Sequence, residues 1–237
     1  MPEPTPSSPD QPWWLQLQRV LGLGPLALYA LFHLWTHWPA LFGREAWLER
    51  AERYALGPGW AALALGLFAV HAGLGAVRVR RGATAGASAG GQLFQAITGM
   101  LIAAFLALHL AHVWPTGDGD SAAPGRSYER LWELIGHPLM LGAYVLGCAA
   151  LAGHLAHGAY LWLAPRMPAP LRVPFRYAAG FSGFVLFVLY LQLVGRFAAG
   201  EPMLPSARPV PAQAHYARLV RPGHFFMVPD TEFWITA

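Results

Sequence analysis

The chain has 237 residues, of which 55% are hydrophobic and 12% are charged. This is about half the charged fraction of an average soluble domain. All 16 basic residues are arginine, and they occur in short groups between long apolar segments. The net charge of +4 is weak evidence for a nucleic-acid surface, and the arginine groups have a simpler use in setting the membrane topology. The composition therefore excludes nucleic-acid binding and indicates a protein embedded in membrane lipid.

Five apolar segments are long enough to cross a bilayer as helices, which takes roughly 20 residues each. They cover residues 20–42, 57–77, 92–114, 137–163 and 173–197. The segments are rich in Leu and Ala and lack the strict alternation of a membrane β-barrel. We therefore predict an all-α, integral membrane bundle of five transmembrane helices over residues 19–199. A polar N-terminal tail, residues 1–18, precedes it, and a Pro-rich extension, residues 200–237, follows it.

The arginines predict the orientation, because cytoplasmic loops retain basic residues. The second and fourth loops carry arginine without any acidic residue, whereas the first and third loops mix arginine with Asp and Glu. The unbalanced arginines are Arg78, Arg80, Arg81, Arg166, Arg172 and Arg176. This pattern predicts a cytoplasmic N-terminus and a C-terminus on the outer side.

Seven of the ten histidines lie in the apolar segments, where a polar side chain is costly and normally has a partner. They are His33, His37, His71, His109, His112, His154 and His157. A single such histidine could simply bond a neighbouring helix. Histidines on each of four helices favour a shared function.

Depth in the bilayer predicts which histidines can share a metal. His33 lies about 10 Å before the outer end of its helix and His109 about 8 Å, so both lie in the outer half. His71 lies about 10 Å and His154 roughly 14 Å before the inner ends of their helices. We predict two bis-histidine sites, His33 with His109 and His71 with His154.

Two axial imidazoles suit haem iron and leave no open coordination position, so haems held in this way transfer electrons. The single cysteine, Cys148, provides no C-x-x-C-H attachment motif, so any haem would be held without covalent bonds. Ligand type alone leaves zinc and copper open. Small residues near the histidines would admit a flat macrocycle, although such residues also serve ordinary helix packing. They are Gly66, Gly73, Gly75, Gly147, Gly153 and Gly158.

Four segments carry these histidines in motifs that together resemble the dihaem cytochrome b subunits of succinate:quinone oxidoreductases. The resemblance is to the five-helix, single-anchor type, which includes bacterial fumarate reductases, and it covers most of residues 18–197. The matching residues are Gly24, Pro25, His33, Leu34 and Gly43, then His71, Ala72 and Arg78, then Gln95, Thr98, Gly99, His109 and Leu110, and finally His154, Gly158 and Tyr160. The chain departs from the family at Ala152, where some fumarate reductases carry a glutamate associated with proton movement, and in residues 200–237.

The resemblance implies that four histidines are the axial ligands of two haem b irons, paired as the depth argument pairs them. These metal ligands are His33, His71, His109 and His154. Depth alone leaves three neighbours open, and His157 is as well placed in depth as His154. The resemblance selects the four ligands over these neighbours, His37, His112 and His157, which remain packing residues or residues near the haem propionates.

The resemblance further implies a function in the tricarboxylic acid cycle, as the membrane anchor of a succinate dehydrogenase (quinone) in a bacterial inner membrane. A flavoprotein subunit with FAD and an iron–sulfur subunit would bind on the cytoplasmic side. Electrons would pass through the inner and then the outer haem to a quinone, expected to be menaquinone. Reverse flow would make the complex a fumarate reductase. A dimer of the heterotrimer is a further expectation.

Other candidate site residues lie near the two membrane surfaces. At the inner face, Arg19 and Gln95 are predicted to bind the cofactor through its propionates, and the nearby Gln18 and Gln92 could do the same or contact the iron–sulfur subunit. At the outer face, three glutamates together with His37 could exchange protons with a quinone, or could belong to a solvated loop. The glutamates are Glu45, Glu49 and Glu52.

Two further functions are consistent with the residues. The chain could be a haem-free anchor or transporter subunit whose histidines move protons. It could also be the cytochrome b of another quinone-linked dehydrogenase, such as a hydrogenase or a formate dehydrogenase.

Overall fold

The computed structural model describes residues 12–54, 58–81, 89–113 and 124–199, and the regular secondary structure in these ranges is helical. The α-helices are α1 (Trp13–Leu21), α2 (Ala27–His37), α3 (Arg44–Tyr54), α4 (Pro58–Arg80), α5 (Ala89–Val113), α6 (Pro124–Ile135), α7 (Pro138–Leu163) and α8 (Ala169–Ala199). The predicted extension, residues 200–237, and residues 1–11 of the predicted tail lie outside the described ranges.

Five helical stretches are long and apolar enough to cross a membrane, which supports the predicted five-helix membrane bundle. They are Trp13–Phe42, Gly59–Arg80, Gly90–Val113, Pro138–Arg166 and Ala169–Ala199. Large apolar side chains point away from the bundle on these stretches, as lipid contact requires. Leu28, Met100 and Phe181 are each more than 60% exposed.

The first stretch begins at Trp13, inside the segment predicted as a tail, and is interrupted by a π-helical turn, Gly22–Leu26. Pro25 lies in this turn, and because proline has no N–H to donate, the α-helical hydrogen-bond pattern is broken there. A 3₁₀ turn, Trp38–Phe42, closes the stretch. Gly43 follows with φ of 122°, a conformation that disfavours any side chain, and the chain then turns into α3.

Two short helices cover one end of the bundle, which we call the capped end. Arg44 of α3 donates a hydrogen bond of 2.9 Å to Glu129 of α6, and the rings of Trp47 and Tyr128 lie 5.4 Å apart beneath this ion pair. Leu131 and Ile135 of α6 are buried against the long helices. At the opposite end, called the arginine end, Arg81 after α4 lies over the ring of Trp14 in α1. The first and third loops therefore share one end of the bundle.

Helix α7 is central, packing closely on both α5 and α8, while α4 packs mainly on α1 and the π turn. The α7–α8 contact depends on a small residue, since a Cβ at Gly183 would lie 2.7 Å from Ala156 Cβ and 3.2 Å from the Ala152 carbonyl oxygen. Close backbone approach at small residues is a usual means of joining membrane helices.

We expect Gly183→Ala to lower the free energy of unfolding by about 1–3 kcal/mol, because the added methyl group overpacks the α7–α8 contact. Gly180→Ala is the matched control, since its Cβ would meet no atom within 4 Å and alanine favours the helix. Thermal unfolding of the two purified variants in detergent makes the comparison. Equal midpoints for the two variants would contradict the assigned α7–α8 packing.

Candidate functional site

A cavity of about 1510 Å³ runs through the bundle between α1, α2 and α4 on one side and α5 and α7 on the other. Its volume exceeds the roughly 300–1,000 Å³ of a pocket for one small molecule. The described residues that line the cavity include arginines at the arginine end but no Asp or Glu. Five of the seven intramembrane histidines line it, namely His33, His37, His71, His109 and His154. His112 and His157 do not.

The histidines meet across this cavity in the two combinations predicted from depth. His33 of α2 and His109 of α5 have ring centres 6.0 Å apart, with their planes at 89°. His71 of α4 and His154 of α7 have ring centres 6.2 Å apart, with their planes at 77°. The first pair lies toward the capped end and the second toward the arginine end.

These separations agree with the geometry of two imidazoles on one metal. An imidazole nitrogen lies about 2 Å from a metal that it ligates, and the ring centre lies about 1 Å farther away. Two axial imidazoles therefore have ring centres roughly 6 Å apart. The residues present thus fit a bis-histidine haem iron at each pair, within a largely apolar cavity large enough for more than one ligand.

Hydrogen bonds fix the ring orientation of both histidines in the arginine-end pair. The Nδ1 of His71 donates to the backbone oxygen of Gln18 at 2.8 Å, since a carbonyl oxygen can only accept. The Thr98 hydroxyl donates to Phe94 O at 2.7 Å, so it can only accept from His154 Nδ1, 3.0 Å away. Both rings therefore carry their hydrogen on Nδ1 and leave the Nε2 lone pair for a metal.

The capped-end pair is held differently. His109 Nδ1 lies 2.9 Å from the hydroxyl of Tyr144 in α7. His33 stacks on the ring of Tyr29, with ring centres 6.0 Å apart. On its other side lies His37, whose Nδ1 donates to the His33 carbonyl oxygen at 3.0 Å. His37 in turn packs edge-on against Trp47 of α3, so this pair is connected to the helices of the capped end.

The other predicted inner-face residues also reach the cavity. Arg19, Gln18, Gln92 and Gln95 all line it, together with Arg78 and Arg80. Gln95 Nε2 donates to the His154 carbonyl oxygen at 3.1 Å and lies 3.0 Å from His157 Nδ1. Gln95 therefore joins α5 to α7 beside His154. The same amide gives His157, which does not line the cavity, a hydrogen-bond partner.

Two of the three glutamates that were candidates for proton exchange, Glu45 and Glu49, do not line the cavity. Glu45 and Glu49 lie on α3 with exposed side chains, and Glu49 accepts a hydrogen bond of 3.0 Å from Arg53. The side chain of Glu52 lies outside the described residues. Of the four acid–base candidates at this end, His37 alone lines the cavity among those whose side chains are described.

The glycines have several different environments. Gly75 and Gly158 line the cavity, whereas Gly147 and Gly153 pack against the rings of Phe105 and Phe94. Gly66 and Gly73 are exposed. Among the described glycines, the one in closest contact with a histidine was not predicted from the sequence. It is Gly22 in the π turn, where a Cβ would lie 2.6 Å from His71 Cε1.

The contact of Tyr144 with a histidine was not predicted from the sequence, and Thr98 was identified there only as part of a motif. A tyrosine inside a membrane helix, about two turns after Pro138, was the available signal, because its hydroxyl needs a partner there.

Comparisons with family models, with curated proteins and with solved structures find no match to this chain.

If the His71 and His154 pair holds a haem iron, we expect Gly22→Ala to weaken that binding by about 10–100-fold, the usual effect of disturbing residues that orient a metal ligand. The new methyl group would displace the His71 ring and break its bond to Gln18. Gly24→Ala, in the same turn but with open space around its Cβ, is the control. Haem content of the two purified variants is the measurement, and equal content would show that Gly22 does not shape the site.

Proposed function

We propose that this chain is the membrane-anchor cytochrome b subunit of a succinate:quinone oxidoreductase. In this role it holds two haem b groups and carries electrons from an iron–sulfur subunit to a quinone. One observation carries the proposal: two pairs of imidazoles face one cavity from four helices, each pair at the separation expected of two axial ligands.

Haem iron with two axial imidazoles has no open position for a substrate, so the chemistry that it supplies is electron transfer. The chain's own residues hold and orient the group. Nε2 of His71 and His154 would ligate one iron, and Nε2 of His33 and His109 the other. Arg19, Arg78 and Arg80 line the arginine end, where a guanidinium can bind the carboxylate of a propionate through paired hydrogen bonds.

The proposed orientation puts the arginine end in the cytoplasm of a bacterium, because cytoplasmic loops retain basic residues. A flavoprotein with FAD and an iron–sulfur subunit would bind at that end, and the resulting heterotrimer could form a dimer. The quinone, which we propose to be menaquinone, would react near the capped end, where His37 and the buried face of α6 line the cavity. Fumarate reduction is the same function running in reverse.

Replacing one histidine tests the pairing. We expect His33→Ala or His109→Ala to lower the haem content of the purified chain from two to one, because only the capped-end pair loses a ligand. His71→Ala and His154→Ala should remove the other haem. His112→Ala is the control, since His112 does not line the cavity and bonds its own helix at Leu108 O. A loss of both haems in every ligand variant would refute two independent sites.

Reduction by substrate tests which dehydrogenase the chain serves. In membranes containing the whole complex, we expect succinate to reduce the b-type haems, which is seen as their reduced absorption bands. Malonate, an inert analogue of succinate, should prevent this reduction. Formate and hydrogen are the controls, and reduction by either of them instead of succinate would assign the chain to another dehydrogenase.

A further inference from the structure

Tyr144 lies directly behind a predicted metal ligand. It belongs to α7 and is 4% exposed, and its hydroxyl is 2.9 Å from His109 Nδ1. The ring of Phe105 packs against both partners, with centres 5.1 Å from Tyr144 and 5.8 Å from His109. Phe105 is itself held in place by Gly147, whose missing side chain makes room for it. The phenol therefore has a defined position beside the imidazole.

The hydrogen bond between Tyr144 and His109 differs from those of the arginine-end pair in one respect. Gln18 O and the Thr98 hydroxyl can only accept from their histidines, so those two rings have a fixed hydrogen on Nδ1. A phenol hydroxyl can either donate or accept. If Tyr144 donates, the hydrogen of His109 is on Nε2, and that nitrogen cannot bind a metal. If Tyr144 accepts, Nε2 of His109 is free for iron.

We infer that Tyr144 is a positioning residue for the capped-end iron: with that iron on Nε2 of His109, the Tyr144 hydroxyl accepts the Nδ1 hydrogen, which fixes the ring and strengthens it as a ligand. This inference rests on the proposed function, since it requires haem at the His33 and His109 pair. It adds a residue to that site which neither the sequence motifs nor the depth argument identified.

The hydrogen bond has a measurable consequence for the iron. A partner that accepts from Nδ1–H makes the imidazole a stronger electron donor, which favours ferric over ferrous iron. Loss of a residue that orients a ligand typically changes metal affinity by about 10–100-fold. If the affinity for ferric iron decreases tenfold more than the affinity for ferrous iron, the reduction potential rises by about 59 mV for this one-electron couple.

The test is Tyr144→Phe, which removes the hydroxyl and keeps the ring. Its matched control is Tyr190→Phe, because Tyr190 is also a buried, cavity-lining tyrosine, but its hydroxyl donates to Ala30 O at 2.7 Å. Both changes are made in a His71→Ala chain, which retains only the capped-end ligand pair. We expect the haem potential of the Tyr144→Phe chain to rise by about 59 mV or more. We expect Tyr190→Phe to leave the potential unchanged.

The reciprocal variant, Thr98→Val in a His33→Ala chain, should raise the potential of the arginine-end haem, because His154 then loses its acceptor. If a single-haem chain does not accumulate, the comparison is made in the chain with all four ligands, where Tyr144→Phe should move one of two potentials. An unchanged potential in Tyr144→Phe, or an equal shift in Tyr190→Phe, overturns the role of Tyr144 while leaving the two-haem proposal intact. A parent chain that binds no haem overturns the proposed function itself.

Discussion

An imidazole ring has two polar nitrogens, and each of them needs a partner when the ring is buried inside a membrane bundle. In this protein the Nδ1 atoms of His71, His109 and His154 are hydrogen-bonded to the chain itself. Their Nε2 atoms are therefore left as the groups that a cavity ligand must satisfy. A single metal between two rings at this separation would meet that need for both of them.

Contacts to these histidines and packing between the helices hold the bundle together. The π turn at Pro25 and the small Gly22 bring α1 close enough to α4 for Gln18 to bond His71. Thr98 and Gln95, on adjacent turns of α5, bind α7 at His154. At the capped end, the helices α3 and α6 cover the cavity, and Trp47 of α3 contacts His37. His71, His109 and His154 are thus each bonded by a residue on another helix, whereas His33 packs between Tyr29 and His37 of its own helix.

Much of this arrangement could be predicted from the sequence. The length of the apolar segments predicted the five membrane helices, because the thickness of the bilayer fixes the length of a spanning helix. The rise per residue then placed His33 level with His109 and His71 level with His154, and these are the rings that face each other. The start of the first helix was predicted too late, because Trp13 to Gln18 are amphipathic rather than uniformly apolar.

The remaining features depend on tertiary contacts that a linear pattern does not contain. Helices α3 and α6 are polar on one face and lie across the bundle end, so a search for apolar segments does not detect them. The spacing of Tyr128, Leu131 and Ile135 was the signal that could have revealed α6. The contacts of Gly22, Thr98 and Tyr144 with histidines join residues far apart in the sequence, and only the packing of the helices brings them together.

The central claim is that each imidazole pair holds one haem iron, and electron paramagnetic resonance of the oxidised, purified chain tests it most directly. The ring planes of the pairs meet at 89° and 77°. Imidazoles bound to one iron at such angles would leave two iron d orbitals close in energy, and the low-spin ferric signal would then be strongly anisotropic. We therefore predict two such signals of equal intensity. A high-spin signal, which indicates an open coordination position, or a preparation that contains no haem iron would contradict the account.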